Sequence, residues 1–363
     1  MHIEPCYSLA LNDLKTSPSQ TKSSNNMKPH DHISPEPEMI QSLHANGLLD
    51  NPEYAQFSAL TGGVSSDIWK VETDRQTYCV KRALAKLRVQ ADWFAPVERN
   101  KYEVCWYRFA NQYVPGSAPK ILAHDERMML FAMEFLEPST HKLWKTELLE
   151  GRVDPICAGW MGSTLGKIHA KAANDPSVKD LFPPNEIFHA IRLEPYLEAT
   201  ALKHPDLKDI LFSLSKRTRE TSLTLIHGDV SPKNILLGPK GVVILDAECA
   251  CLGDPAFDLA FCLNHFLLKC IWDPTNRGSL LSCFEAMVVS YLDQITWEDP
   301  NHLEFRTATL LPGLFLARVD GKSPVEYITK EVDKYKIRRC ARSLLSNPAS
   351  KLIDVAQAWK KEL

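Results

Sequence analysis

Apolar positions in this chain fall into two regimes, short alternating runs first and helical spacing afterwards. Residues 12 to 38 carry Ser, Pro, Asn, Thr and Lys with almost no large apolar side chains. Burial cannot offset the entropy of ordering such a segment, so a flexible tail is expected. A short helix follows from about Glu38 to Asn46, with Gly47 placed to end it. Tyr54 to Leu60, Asp67 to Thr73 and Gln76 to Arg82 then read as strands, broken by Gly62-Gly63 and by a turn at Asp74-Arg75. From about Pro96 to Tyr113 the period lengthens, and Trp106, Tyr107, Ala110, Tyr113 and Val114 form one apolar stripe of a helix. Lys120 to Ala123 and Met128 to Phe135 are two further strands.

Beyond Glu137-Pro138 helical spacing dominates. Residues 154–174, 186–203 and 206–219 read as helices. Short strands are expected at Leu223 to Ile226, Ile235 to Leu237 and Val242 to Leu245, and the chain is helical nearly to its end after Asp254. Strands followed by helices make an α+β chain of two lobes, a small β-rich one with one main helix and a large, mostly helical one. The boundaries fall at 1–38 for the tail, 39–136 for the small lobe and 137–363 for the large lobe.

Composition narrows the function classes. With 42 basic and 45 acidic side chains the net charge is −3, which gives no basic excess for nucleic acid or an anionic membrane surface. No apolar run approaches the roughly 20 residues that span a bilayer, and the N-terminus lacks the basic and apolar regions of a secretory signal. The ten cysteines are scattered without a C-x-x-C pair, as expected of buried thiols in a reducing compartment. The expectation is a soluble cytoplasmic protein.

Chemistry concentrates in His227-Gly228-Asp229-Val230-Ser231-Pro232-Lys233-Asn234, followed by Asp246. Asp229 falls on a loop at a strand end, Asn234 opens the next strand, and Asp246 ends the one after. Phosphoryl transfer needs such a set: a carboxylate to orient a hydroxyl and take its proton, and hard oxygen ligands for Mg²⁺. The run Gly162-x-x-x-Gly166-Lys167 is a decoy, since it lacks the spacing and the Ser/Thr of a phosphate loop and lies inside a helix.

Together with Asp246-x-Glu248 and Gly253-Asp254-Pro255-x-x-Asp258-Leu259-Ala260, this ordered set resembles the aminoglycoside phosphotransferase family, whose relatives include choline and methylthioribose kinases. The resemblance covers residues from about 55 to 330 and implies a protein-kinase-like fold. It implies ATP and Mg²⁺ as cofactors and a small-molecule alcohol as acceptor. It makes Asp229 the catalytic base and Asn234 and Asp246 the metal ligands. Leu60 to Ser66 resembles the family's nucleotide loop, with Gly62, Gly63, Ser65 and Ser66 near the phosphates. Ser66 stands where many relatives carry Asn.

Lys81 matches the lysine that holds the α- and β-phosphates. Glu103 is its expected carboxylate partner, with Glu98 as competitor. Met133 to Leu136 resembles the interlobe hinge, so Glu134 would meet the adenine through its backbone. His169 and Asp258 are expected to brace the catalytic loop. Gly228 replaces the Arg of many protein kinases, and the short Cys249 to Pro255 stretch leaves no room for a long activation segment. Both features point to a small molecule rather than a protein as acceptor. The alternative reading is a nucleotide-binding pseudokinase without transfer activity.

One segment outside these motifs carries a helix signature. Gly321 is placed to end a helix, and Ser323, Pro324 and Glu326 then form a capping box for the next one. Arg318 or Asp320, just before it, are candidates to reach the acceptor pocket.

Overall fold

The computed structural model describes residues 35–60, 65–86, 96–182 and 186–363. The expected tail lies almost wholly outside them, as do Gly62 and Gly63. The chain divides into two compact units. One runs up to Asn100 and resumes over Ile121–Pro138; the other comprises Lys101–Lys120 and Ser139–Leu363.

The smaller unit is an antiparallel sheet with a helix on one face. Its elements are α1 (Pro37–Ala45), β1 (Gln56–Ala59), β2 (Ser66–Glu72), β3 (Thr77–Ala83), β4 (Ile121–Asp125) and β5 (Leu130–Glu134), in the sheet order β1-β2-β3-β5-β4. Pro37 suits the first turn of α1, and Gly47 at φ +69° ends it in the left-handed conformation that glycine tolerates. Period-two alternation sends Trp69, Val71, Tyr78, Val80, Leu130 and Ala132 to one face, where they pack with Met39, Leu43 and Leu49. The Ser42 hydroxyl donates to Asp125 at 2.7 Å and the Tyr78 hydroxyl to the Leu48 carbonyl at 3.1 Å, which fixes α1 over that face. Lys81 alternates with Val80 and so belongs to the opposite face, paired in register with Ile68 and Phe131.

The larger unit is built on helices. It contains most of α2 (Arg99–Tyr113), then β6 (Lys142–Leu143), α3 (Trp144–Leu149), α4 (Pro155–Ala173), α5 (Val178–Leu181) and α6 (Glu186–Phe188). After α7 (Ala199–Lys203) and α8 (Lys208–Glu220) come β7 (Thr224–Ile226), β8 (Ile235–Gly238), β9 (Gly241–Ile244) and β10 (Cys251–Gly253). The chain closes with α9 (Pro255–Trp272), α10 (Arg277–Leu292), α11 (Pro300–Asp320), α12 (Glu331–Ser346) and α13 (Leu352–Lys360). Helix α9 is buried along nearly its whole length. Asp254 caps it by accepting from the Ala256 N–H at 3.0 Å, while Pro255 fills the first turn. No helix among the described residues is long and apolar enough to cross a membrane.

Two expectations are corrected. The single helix read over 186–203 is interrupted by a π-helical stretch, His189–Glu198, with Pro195 inside it. Proline has no N–H for the regular ladder, and the wider turn accommodates that loss. The capping box at Ser323 starts no helix, because residues 321–330 are irregular and α12 begins at Glu331. The groups that would cap it are engaged elsewhere. Arg318 Nη1 donates to the Ser323 carbonyl at 2.5 Å and hydroxyl at 3.1 Å, and Glu326 pairs with Lys145 at 2.7 Å.

Candidate active site

The loop between β7 and β8 hangs on one carboxylate. Asp258, in the first turn of α9, accepts from the backbone N–H of His227 at 2.6 Å and of Gly228 at 2.8 Å. Its Oδ2 also lies 3.3 Å from His169 Nε2, and His169 Nδ1 lies 2.7 Å from the Tyr291 hydroxyl. His169 and Asp258 are fully buried, so they act as a brace inside the protein. The Asp229 N–H donates to His227 Nδ1 at 3.1 Å, which leaves the proton on Nε2 to donate to the Leu245 carbonyl at 3.0 Å. Burial holds His227 below its ordinary pKa, consistent with this neutral ring.

Gly228 is required twice over. Its φ is +79°, and a Cβ there would sit 2.7 Å from the Cys249 Cβ and 3.0 Å from the Cys249 carbonyl oxygen.

Asp229 follows this fixed turn. Arg192 Nη2 at 2.8 Å, Lys233 Nζ at 3.0 Å and Asn234 Nδ2 at 2.8 Å all converge on its Oδ2, and Oδ1 meets no donor among the described residues. Burial pushes the carboxyl up, but the two cations more than offset it, so Asp229 lies below the usual carboxylate range. It is ionised at neutral pH. Arg192 sits in the π-helical stretch and also donates from Nε to the Gly228 carbonyl at 2.8 Å, clamping two consecutive loop residues.

Asn234 and Asp246 flank the paired strands β8 and β9. Asn234 precedes β8, and the Leu245 N–H donates to its carbonyl at 2.8 Å. Asp246 follows β9 at φ +67°, a left-handed conformation uncommon outside glycine and often found at functional sites. Its N–H donates to the Tyr107 oxygen at 2.7 Å, and the Tyr107 hydroxyl donates to Glu103 Oε1 at 2.8 Å. Burial raises the Tyr107 pKa well above its ordinary value, which keeps that proton in place. A chain Glu103–Tyr107–Asp246 therefore runs from α2 to the end of β9.

Among the described residues no three His, Cys, Asp or Glu side chains form a closed metal cage. Asn234 and Asp246 offer amide and carboxylate oxygen, hard donors that suit a cation keeping most of its positions for phosphate and water. The donor set fits Mg²⁺. A cavity of about 460 Å³ lined by Trp144, Glu147, Arg152 and Asp154 contains none of these groups.

The remaining candidates divide between the units. Lys81 is 4% exposed on β3 of the smaller unit, whereas Glu103 is 1% exposed on α2 within the larger one. Ser65 precedes β2 and Ser66 opens it, both buried, and Glu134 ends β5 opposite Tyr78. In the same unit the buried Arg99 guanidinium donates to the carbonyls of Ser65 at 2.5 Å, Leu84 at 2.7 Å and Pro96 at 2.8 Å. It holds the backbone at Ser65, Leu84 and Pro96 together. Arg99, Tyr107 and Arg192 carry no motif of their own. Tyr107 reads only as part of an apolar stripe, and neither arginine has a sequence spacing that marks it.

Comparison with known proteins supplies the family. Methylthioribose kinase of Enterobacter sp. (strain 638) is 28% identical over 262 residues, covering 64% of this chain and 65% of that protein. Methylthioribose kinase of Yersinia enterocolitica is 27% identical over 216 residues, covering 52% of this chain and 54% of that protein. The chain thus spans between about half and two thirds of the length of these curated relatives.

Among solved structures, an amicoumacin kinase in complex with AMP-PNP, Ca²⁺ and Ami matches with a TM-score of 0.55 at 12% identity, covering 87% of this chain and 99% of that one. A putative aminoglycoside phosphotransferase from Ralstonia eutropha gives 0.51 at 15% identity, covering 90% and 98%. Likeness at these identities is likeness of fold, and it is the α+β, protein-kinase-like fold. The sequence profile of the phosphotransferase enzyme family (APH) matches residues 56–280, more than half the chain and the whole stretch from β1 through the Asp229 loop into α10. The chain belongs to that family.

Proposed function

We propose that the protein is a small-molecule kinase, moving the γ-phosphate of ATP to a hydroxyl of an alcohol acceptor in the cytoplasm. The observation that carries this reading is the carboxylate of Asp229, held ionised by Arg192 and Lys233, with one oxygen turned to donors and the other available to a hydroxyl. Residues 39–136 form the nucleotide lobe and 137–363 the catalytic and acceptor lobe.

Asp229 orients the acceptor hydroxyl and takes its proton as a bond forms between the acceptor oxygen and the γ-phosphorus. The bond from that phosphorus to the bridging oxygen breaks, and ADP leaves. Lys81 holds the α- and β-phosphates, Glu103 positions Lys81, and the backbone N–H groups near Gly62, Gly63, Ser65 and Ser66 approach the phosphates. The backbone at Glu134 reads the adenine edge. Asn234 and Asp246 would hold Mg²⁺, which when bound neutralises charge on the phosphates.

The test is ADP release from Mg²⁺-ATP across a panel of small alcohols that includes methylthioribose, with Asp229→Ala alongside. Acceptor-dependent release that falls by about 10²- to 10⁴-fold in the variant, with ATP binding retained, is expected. ATP binding without release on any acceptor would instead support a nucleotide-binding pseudokinase. Loss of ATP binding in Asp229→Ala would make that residue structural.

A further inference from the structure

The C-terminal half of α9 carries charge that the transfer step does not use. Asp258, Phe261, His265 and Lys269 recur at helical spacing and share one face of the helix. His265 is 8% exposed and Lys269 only 2%. Rings link His265 back along the helix, with Phe261 at 5.8 Å and Tyr196 beyond it at 5.4 Å from Phe261. Arg318 reaches the same place from α11. Its Nη1 donates to the Tyr196 hydroxyl at 3.1 Å, while its buried Nε has no partner among the described residues.

The Lys269 ammonium lies 4.4 Å above the Tyr327 ring and, among the described residues, meets no hydrogen-bond or ion-pair partner. The Tyr327 hydroxyl is also buried, with no hydrogen-bond partner among the described residues. Two more cations, Lys145 of α3 and Lys233 beyond Asp229, act on this cluster electrostatically.

Charge is unbalanced here. Burial first, and then Arg318, Lys269, Lys233 and Lys145, each oppose protonation of His265. Lys269 is drawn down to about 7, first by burial and then by Lys145 and Arg318, with Glu326 the carboxylate acting in the other direction. Glu326 is already bound to Lys145 at 2.7 Å. A cation–π contact compensates much less than the desolvation of an ammonium among like charges. Buried cations ordinarily come with carboxylates, and this cluster has too few for a purely structural role.

We propose that His265, Lys269 and Arg318 anchor the acceptor, and that the acceptor is an anionic alcohol, a small molecule bearing a phosphate or carboxylate besides its reactive hydroxyl. The proposal rests on the phosphotransferase reading, which supplies the hydroxyl and Asp229. Lys233 relates the two regions: its ammonium is 3.0 Å from Asp229 Oδ2, and its charge also opposes protonation of His265. An anion would favour protonated Lys269. Affinity should therefore be greatest below about pH 7 and fall as pH rises, by up to about tenfold per unit for one coupled proton.

Two measurements on the full-length protein test this. In the first, ADP release is compared for glycerol, choline, glycerol 3-phosphate and glycerate. The anionic pair should exceed the neutral and cationic alcohols in kcat/KM by at least about tenfold. Lys269→Met, which removes the ammonium but keeps an unbranched apolar side chain, should raise KM for the anionic acceptor by about tenfold with kcat little changed. The better of the two anionic acceptors identifies phosphate or carboxylate as the recognised group.

In the second, binding of glycerol 3-phosphate and glycerate is measured calorimetrically with AMP-PNP saturating the nucleotide site, in wild type, Lys269→Met and Arg318→Gln. Binding weakened in both variants supports the subsite even if no alcohol is turned over, an outcome that would count against the kinase reading alone. Equal or better turnover of glycerol or choline, unaffected by Lys269→Met, overturns the anionic subsite and leaves the kinase reading standing. Absence of anion binding overturns it as well.

Discussion

The Arg192 guanidinium stands 2.8 Å from Asp229 Oδ2, and the same side chain holds the Gly228 carbonyl. It fixes the carboxylate in position and, together with Lys233, keeps it charged against burial, the largest influence on Asp229. Replacing Arg192 by Met should raise the Asp229 pKa, so the acid limb of a kcat/KM profile for ADP release moves to higher pH. Arg192→Lys should restore part of the shift. An acid limb unmoved in Arg192→Met would show that Lys233 and Asn234 suffice. In folding terms the depressed carboxyl contributes stability above its unfolded value of about 3.9, and that contribution fades as pH falls through the lower folded value.

Gly228→Ala should be poorly tolerated. The left-handed φ and the contact with Cys249 both oppose a Cβ, and strain of this kind costs about 1–3 kcal/mol. Thermal melts should show the loss. Adding Cys249→Ala should not restore stability, because alanine keeps the Cβ that clashes. Full recovery in the double variant would mean that the sulfur, rather than the backbone turn, is the obstacle.

Tyr107→Phe removes the hydroxyl that accepts from the Asp246 N–H and donates to Glu103. The aromatic packing is retained. If Asp246 binds Mg²⁺, loosening its backbone should raise the Mg²⁺ concentration needed for nucleotide binding by about tenfold, in line with other outer partners of metal ligands. A Mg²⁺ titration of ATP-analogue binding reads this without turnover. An unchanged titration would separate the Tyr107 chain from the metal site.

Arg306 pairs with Asp254 at 3.2 Å and with Glu298 at 2.7 Å. Burial holds the Asp254 carboxyl above its ordinary range in spite of Arg306. A group raised in this way favours the folded state at low pH and loses that contribution as pH rises through its folded value. Arg306→Met should therefore destabilise by about 3–5 kcal/mol near neutrality, and by less near pH 4, where Asp254 takes up a proton. Denaturant melts at the two pH values check the sign.

The sequence made legible whatever depends on local chemistry. Strand alternation around Trp69 and Val80, the Gly47 stop, the Asp254-Pro255 helix start and the His227 to Asn234 loop all follow from neighbours in the chain. What escaped depends on distant groups. Ser323, Pro324 and Glu326 satisfy every local rule for a helix start, yet Arg318 and Lys145 take the capping groups and the helix waits until Glu331. Arg192 lies within an apolar stretch between Ile191 and Leu193, and only the fold brings it to Asp229, 37 positions along by the numbering. Tyr107 likewise appears as one more core aromatic until the backbone of Asp246, 139 positions away, is seen against it.

Helix α9 divides its labour by length. Its first turn holds Asp258 under the reactive loop, and its last turns hold His265 and Lys269, both away from that brace. Substitution at 265 or 269 can therefore redirect which molecule is captured while the bonds that fix Asp229 stay as they are. In evolutionary terms the helix separates an inherited reaction from an adjustable preference. A small library at those two positions is the shortest route by which this scaffold would acquire a new substrate.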